Sequence, residues 1–292
     1  MNMCKVYVTA SQKGGVAKTT TAGSLGIGLA KKGYKVLLVD ADAQGSLTAS
    51  LGYKEPDSMN DTLAVIMEKE IQDEEYDSNI FGILHHDEGV DLVPSNIELA
   101  AVEVALIQAM SRETILKRYI DKVKDNYDYI IIDSAPSLGL ITINVLVAAD
   151  KIIIPVQAAY LSVKGLEQLI KTISRVRRNL NNQLGIDGVL ITMLDKRTVY
   201  AREIVELLDD AYGKAINIYN SRIPFSIRAV EATTKGVSIY KHDPKGKVAE
   251  AYGELTEEVL AVFQNAQKGI LVVCQFGLTS LHLTRRFHRI TL

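Results

Sequence analysis

Residues 11–25 read SQKGGVAKTTTAGSL, and within them Gly14, Gly15, Lys18 and Thr19 share one chemistry. Glycines let backbone N–H groups close on an anion, a lysine neutralises phosphate charge, and a threonine hydroxyl ligates a divalent cation. The common phosphate-loop pattern G-x-x-x-x-G-K-[ST] is nonetheless broken at both outer glycine positions, where Gln12 and Ala17 stand. A second lysine, Lys13, sits at the front of the loop, where that pattern asks for none. If position 17 requires a positive φ, an alanine there costs on the order of 1 kcal/mol.

Carboxylates complete the set. The stretch LLVDADAQGS carries Asp40 and Asp42, and DYIIIDSAPSLG carries Asp133, each after an apolar run. In-line attack on a terminal phosphate needs a held water and a cation, and carboxylates at strand ends can serve both. Taken singly, Asp40 and Asp42 read better as caps of the next turn, and an apolar strand ending in Asp is common. Together with Lys18 and Thr19 they form a coherent phosphate and metal constellation. Nothing resembles a Ser-His-Asp or Cys-His nucleophile arrangement, and the five histidines have no metal-ligand spacing.

These residues need elements that bring them together. Short β-branched runs at 5–10, 35–41, 127–135, 151–157 and 188–194 read as strands. Amphipathic segments at about 18–32, 96–108, 111–124, 162–180, 198–213 and 244–263 read as helices. The alternation predicts an α/β fold, a mostly parallel twisted sheet with helices on both faces. The segments 11–18, 40–42 and 133–137 all fall at strand carboxyl ends, where such sheets bind ligands.

The loop KGGVAKTTT resembles the deviant phosphate loop, K-G-G-x-G-K-[ST], of the ParA/MinD superfamily of P-loop ATPases. The resemblance covers residues from about 5 to 260 and is closest to short, Soj-like partition ATPases, through PVQAAYLSVKGLEQL, TMLDKRT and RIPFSIRAVEATTKGVSIYKHDPKGKVAEAY. It implies ATP and Mg²⁺ as cofactors, with Lys13, Gly14, Gly15, Val16, Ala17, Lys18, Thr19 and Thr20 around the phosphates. It further implies Pro224 and Ser226 at the adenine, and Thr19, Asp40 and Asp133 at the metal. Lys13 would reach the partner's phosphates across a nucleotide-sandwich homodimer, Lys18 would hold the β- and γ-phosphates, and Asp42 would orient the attacking water. Ala17 and Ala43 depart from the family's usual glycine and proline, and Ser226 from its more usual asparagine.

By the same resemblance the chain binds double-stranded DNA without sequence preference, and a ParB-type partner stimulates its hydrolysis. Its place is then cytoplasmic and nucleoid-associated, with no membrane partner expected. Non-specific binding asks for cations aimed at phosphates. Candidates are Arg197, Arg222 and Arg228, with Lys164, Lys171, Arg175 and Arg178 on one helical face. That face reads equally well as an ordinary solvated one.

Composition sets the bounds. A chain of 292 residues with net charge −2 and 47% hydrophobic residues is neither disordered nor a basic nucleic-acid coat, so any DNA contact is a local patch. Cys4 and Cys274 have no paired spacing, no signal-peptide pattern is read, and no apolar run nears the roughly 20 residues that span a bilayer. The loop begins so near residue 1 that no DNA-reading extension is expected before it. One domain is expected over 1–263, followed by a tail over 264–292. From residue 259 onward there is no Asp or Glu, while Lys268, Arg285, Arg286 and Arg289 are basic. Its apolar and basic residues lie in blocks, which favours an appendage over an amphipathic membrane-surface segment. The latter keeps a MinD-like membrane-cycling ATPase as the alternative. A cysteine-ligated cluster enzyme is excluded by the two isolated cysteines.

Overall fold

The computed structural model describes residues 4–157, 160–195 and 199–267, with the side chains of 160–164, 199–202 and 262–267 left out. Strands are β1 (Lys5–Thr9), β2 (Val36–Ala41), β3 (Leu84–His85), β4 (Asp91–Val93), β5 (Tyr129–Ser134), β6 (Lys151–Gln157), β7 (Gly185–Leu194) and β8 (Ile218–Pro224). Helices are α1 (Lys18–Lys31), α2 (Ser46–Ser50), α3 (Leu63–Gln72), α4 (Leu99–Ala105), α5 (Ile115–Val123), α6 (Leu140–Ala148), α7 (Tyr160–Asn179), α8 (Val199–Tyr212), α9 (Ile227–Lys235), α10 (Ile239–His242) and α11 (Lys247–Gln267). The described strands form one sheet in the order β3-β4-β2-β5-β1-β6-β7-β8, parallel except for the β3–β4 pair.

The central strands are apolar throughout because both of their faces are covered. Val6, Val8, Leu37, Val39, Ile130 and Ile132 point into one core, under α3 to α8. Their neighbours Tyr7, Val36, Leu38, Tyr129 and Ile131 point into the other, under α1, α2 and α9 to α11. The period of two is real, but hydropathy cannot display it when each side has its own core.

All five expected strands are present, and the six expected helices are present with shifted ends. Missed were β3, β4, β8, α2, α3, α6, α9 and α10. Helix α6, LITINVLVA, is buried almost all round and so shows no amphipathic period. Strand β8 ends the sheet, carries Asn220 and Arg222, and finishes in a proline, as an edge strand can. Where its register with β7 slips, the Glu258 carboxylate on α11 accepts from the backbone N–H of Asn220 at 2.8 Å and of Ser221 at 2.7 Å. Helix α11 runs past Phe263 to Gln267, and residues 268–292 of the expected tail lie outside the described residues.

Helix α1 reaches the sheet closely because it carries glycines on its packed side. A Cβ at Gly26 would come within 2.5 Å of Leu38 Cδ2, and one at Gly28 within 2.4 Å of Thr256 Oγ1 on α11. An alanine at 28 gains up to about 1 kcal/mol of helix propensity but overpacks the seam at a cost of about 1–3 kcal/mol. Thermal denaturation of Gly28→Ala is expected to show a net loss of about 1 kcal/mol, or roughly 2–4 °C in Tm.

Candidate active site

Strand β1 delivers the chain into the loop and α1 takes it out, so the loop lies at the carboxyl end of the sheet's centre. Gly14 and Gly15 are exposed, and a Cβ on either would meet no atom within 4 Å. Gly15 is left-handed, with φ 71°. Open space therefore lies above their backbone, where an anion could approach the N–H groups. Val16, by contrast, is buried, and its carbonyl accepts from the Thr192 hydroxyl of β7 at 3.0 Å. The loop is therefore pinned at its middle and open at its crown.

Ala17 has φ 62° and ψ 33°. The left-handed conformation that glycine would take freely is held here by an alanine, at about 1–2 kcal/mol. From Ala17 the helix starts regularly, its carbonyl accepting from Thr21 N–H at 2.9 Å. Lys18 follows with only 7% of its surface exposed. Burial lowers the pKa of its ammonium, while Asp133 and Asp42 pull it back up. Thr19 and Thr20 are half-buried beside it.

Two carboxylates lie beneath. Asp40 and Asp133 are paired opposite each other on β2 and β5, and both are wholly buried. Their surroundings differ. Asp40 Oδ2 accepts from Thr48 N–H and the Thr48 hydroxyl, each at 2.8 Å, and Oδ1 from Asp42 N–H at 3.2 Å. Burial raises its pKa to about 6 against those three donors. Asp133 Oδ1 accepts from the Thr9 hydroxyl at 3.2 Å, while Oδ2, fully enclosed, has no partner at hydrogen-bonding geometry. Burial and the neighbouring Asp40 raise Asp133 to about 7, opposed by the Thr19 hydroxyl, Lys18 and Thr9.

The donors in this arrangement fit a divalent cation. The orphaned Oδ2 of Asp133 and the adjacent Thr19 hydroxyl are hard oxygen donors suited to Mg²⁺ or its bound water. Asp40, also expected at the metal, has both oxygens engaged by the chain itself. Asp42 is half-exposed and shapes its own turn, with Oδ1 accepting from Gln44 N–H at 3.1 Å. Its carboxylate lies at the rim, with Lys18 within electrostatic reach.

Pro224 ends β8 opposite Leu194 of β7, and Ser226 caps α9, its hydroxyl accepting from Arg228 N–H at 3.2 Å. Helix α9 closes on α1 around a cavity of about 30 Å³ edged by Thr19, Thr20, Ala229 and Thr233. Arg228 is exposed and pairs with Glu231 at 3.1 Å. Arg222 is half-buried, bonded to the Ser221 carbonyl, with Asp209 and Glu258 as its acidic neighbours. On α7, Lys171 pairs with Glu167 at 2.7 Å, while Arg175 and Arg178 are exposed. Arg197 and the Lys164 side chain lie outside the described residues.

Thr48 and Thr192 were not anticipated. Each is a single threonine whose importance comes from a contact made only on folding. Among the described residues one further cluster has ligand types, His86, Asp87 and Glu88. Its groups are taken up by Leu51 O, Lys241 and Ser238, which tie the β3–β4 turn to α10.

An AAA-domain family model matches residues 4–186. The chain is 41% identical to the sporulation initiation inhibitor protein Soj of Bacillus subtilis, over 89% of this chain and 99% of that one. It is 35% identical to the chromosome partitioning protein ParA of Caulobacter vibrioides, over 89% and 95%. Among solved structures it resembles a cobyrinic acid a,c-diamide synthase from Mycobacterium smegmatis with bound ADP and magnesium, at 35% identity, TM-score 0.76 and coverage of 91% and 97%. A plasmid partition protein of Borrelia burgdorferi bound to AMPPNP aligns at 26% identity with TM-score 0.73, over 89% and 99%. The fold is thus that of a P-loop ATPase. The chain belongs to the ParA/MinD-type ATPase family, among the Soj and ParA proteins.

The buried Asp133 makes a pH test of the nucleotide-free protein. Its folded-state pKa is raised, so its stabilising effect is complete below about pH 4 and is lost as pH rises through about 7. Asp133→Asn should flatten this decline. Melting temperatures should converge with wild type near pH 4 and exceed it by several degrees at pH 8, with the residual slope ending near pH 6, where Asp40 titrates.

Proposed function

We propose that the chain is a partition ATPase that binds Mg-ATP, dimerises around two nucleotides, coats DNA and hydrolyses ATP when a ParB-type partner stimulates it. The observation that carries this is the convergence of an open glycine crown, the buried Lys18 and the half-satisfied Asp133 at one strand-end site. When bound, Mg²⁺ would neutralise part of the phosphate charge. The loop N–H groups and the α1 N-terminus hold the phosphates, and Lys18 brings a desolvated ammonium to them. Asp133 and Thr19 present oxygens to the cation. Asp42, at the rim and braced through its N–H by Asp40, holds the attacking water. Lys13 acts on the partner's nucleotide and adds positive charge to the transferring group, as an arginine finger does.

Pro224 and Ser226 are assigned to the adenine edge. DNA contact is assigned first to Arg228, which is exposed at the start of α9, with Arg197 and Arg222 as further candidates. This reading places the protein in the cytoplasm on the nucleoid. The membrane-cycling alternative rests on the tail alone, and among the described residues no helix is long and apolar enough to cross a membrane. Co-sedimentation with plasmid DNA and with lipid vesicles, each with and without ATP, separates the two: ATP-dependent pelleting with DNA supports partitioning, and pelleting only with vesicles overturns it.

Two variants test the roles. Asp42→Ala should reduce turnover by at least about a hundredfold while a fluorescent ATP analogue still binds, leaving ATP-loaded dimers that persist in size-exclusion light scattering. Rapid hydrolysis by this variant would move the water-orienting role to another carboxylate. Arg228→Ala should weaken DNA binding equally for unrelated sequences and lower the log–log salt slope by about one. An unchanged slope with unchanged affinity removes Arg228 from the DNA surface.

A further inference from the structure

Four non-glycine residues among those described are left-handed, and two of them, Ala17 with φ 62° and Met193 with φ 51°, stand on either side of a single buried hydrogen bond. That bond joins the Thr192 hydroxyl to the Val16 carbonyl at 3.0 Å, across 176 residues of sequence. Neither group reaches water: Thr192 is wholly buried, and Val16 is 1% exposed. Unfavourable backbone conformations persist only where the surroundings over-determine them, and they gather at functional sites. Here the restraint is identifiable.

A peptide unit is planar and trans, so its C=O and the following N–H point in opposite directions. Fixing the Val16 carbonyl toward β7 therefore aims the Ala17 N–H away from β7 and fixes the plane from which φ of Ala17 is measured. Met193 makes the aim possible. The β7–β8 register slips between Ile191 and Leu194, and the left-handed turn at Met193 lies within that slip, directly after Thr192. Beyond it, Leu194 regains its partner Pro224 and accepts from Phe225 N–H at 3.3 Å.

We propose that Thr192 is a positioning residue of the phosphate loop, holding the Val16–Ala17 peptide so that a residue without glycine's freedom keeps the anion-binding shape. This rests on the phosphate-loop reading above and adds to it a residue of β7 that touches neither phosphate nor metal.

The test is a cycle between positions 192 and 17, read as affinity for N-methylanthraniloyl-ATP with Mg²⁺ and, in parallel, as melting temperature. Thr192→Val removes the hydroxyl at nearly constant volume and should weaken binding about tenfold, while Thr192→Ser should stay within about twofold of wild type. Glycine is at home in the left-handed region, so Ala17→Gly in the Thr192→Val background should restore most of the lost affinity. A merely structural threonine would lower the melting temperature of both 192 variants alike, with no rescue from position 17. Wild-type affinity in Thr192→Val, or a loss that Ala17→Gly leaves untouched, overturns the proposal. If the valine variant does not fold, the same cycle with Thr192→Ala decides it. Failure of the wild-type protein to bind the analogue would instead overturn the phosphate-loop reading itself.

Discussion

Two carboxylates, Asp40 and Asp133, end adjacent strands at the middle of the sheet with no access to water, and the rest of the site answers the charge they would carry. Burying a carboxylate is costly unless donors or a cation meet it. Asp40 is met from within, by Thr48 and by the N–H of Asp42, and it becomes the post around which the β2–α2 turn is wound. Asp133 is met only in part: Thr9 donates to one oxygen, Thr19 and Lys18 lie near enough to favour its charge, and the second oxygen has no hydrogen-bond partner. One carboxylate thus has all its oxygens engaged by the chain, and the other keeps one oxygen without a hydrogen-bond partner. Their different partners make that division, since their burial is equal.

Much of this was legible in sequence, because strand-end chemistry leaves a local mark. Apolar β-branched runs ending in polar residues identified β1, β2 and β5 and marked Asp40, Asp42 and Asp133, which gained weight only beside Lys18 and Thr19 of the glycine loop. The left-handed state of residue 17 was also foreseeable, because the loop pattern names a glycine there. What remained hidden depends on pairing between distant segments. Thr192 is an ordinary β-branched residue until Val16 is laid beside it, and Thr48 looks like a helix residue until Asp40 is found under it. Helix α6 vanished into hydropathy because it is covered on nearly every side. Strand β8 was disguised by the polar residues that its edge position tolerates.

The contrast between Arg222 and Arg228 shows the limit of reading cations from sequence. Both lie within a few residues of Pro224, yet one is half-buried between Asp209 and Glu258 while the other is exposed on α9 with Glu231 as a surface partner. A surface ion pair of that kind is worth little and is easily exchanged for a phosphate, whereas a half-buried guanidinium between two acids has already been given partners by the fold.

Glu258 has a consequence beyond its own contacts. By taking the N–H groups of Asn220 and Ser221, it leaves β8 with fewer backbone donors to offer another strand, and at the opposite end β3 offers only two residues to pair with. Among the described strands, neither edge offers a long run of free backbone groups. Self-recognition by backbone pairing, which needs no ligand and is hard to reverse, is discouraged by construction. What the molecule leaves available is the rim where loops, glycines and charged side chains gather. An assembly built on that rim can be switched by whatever occupies it.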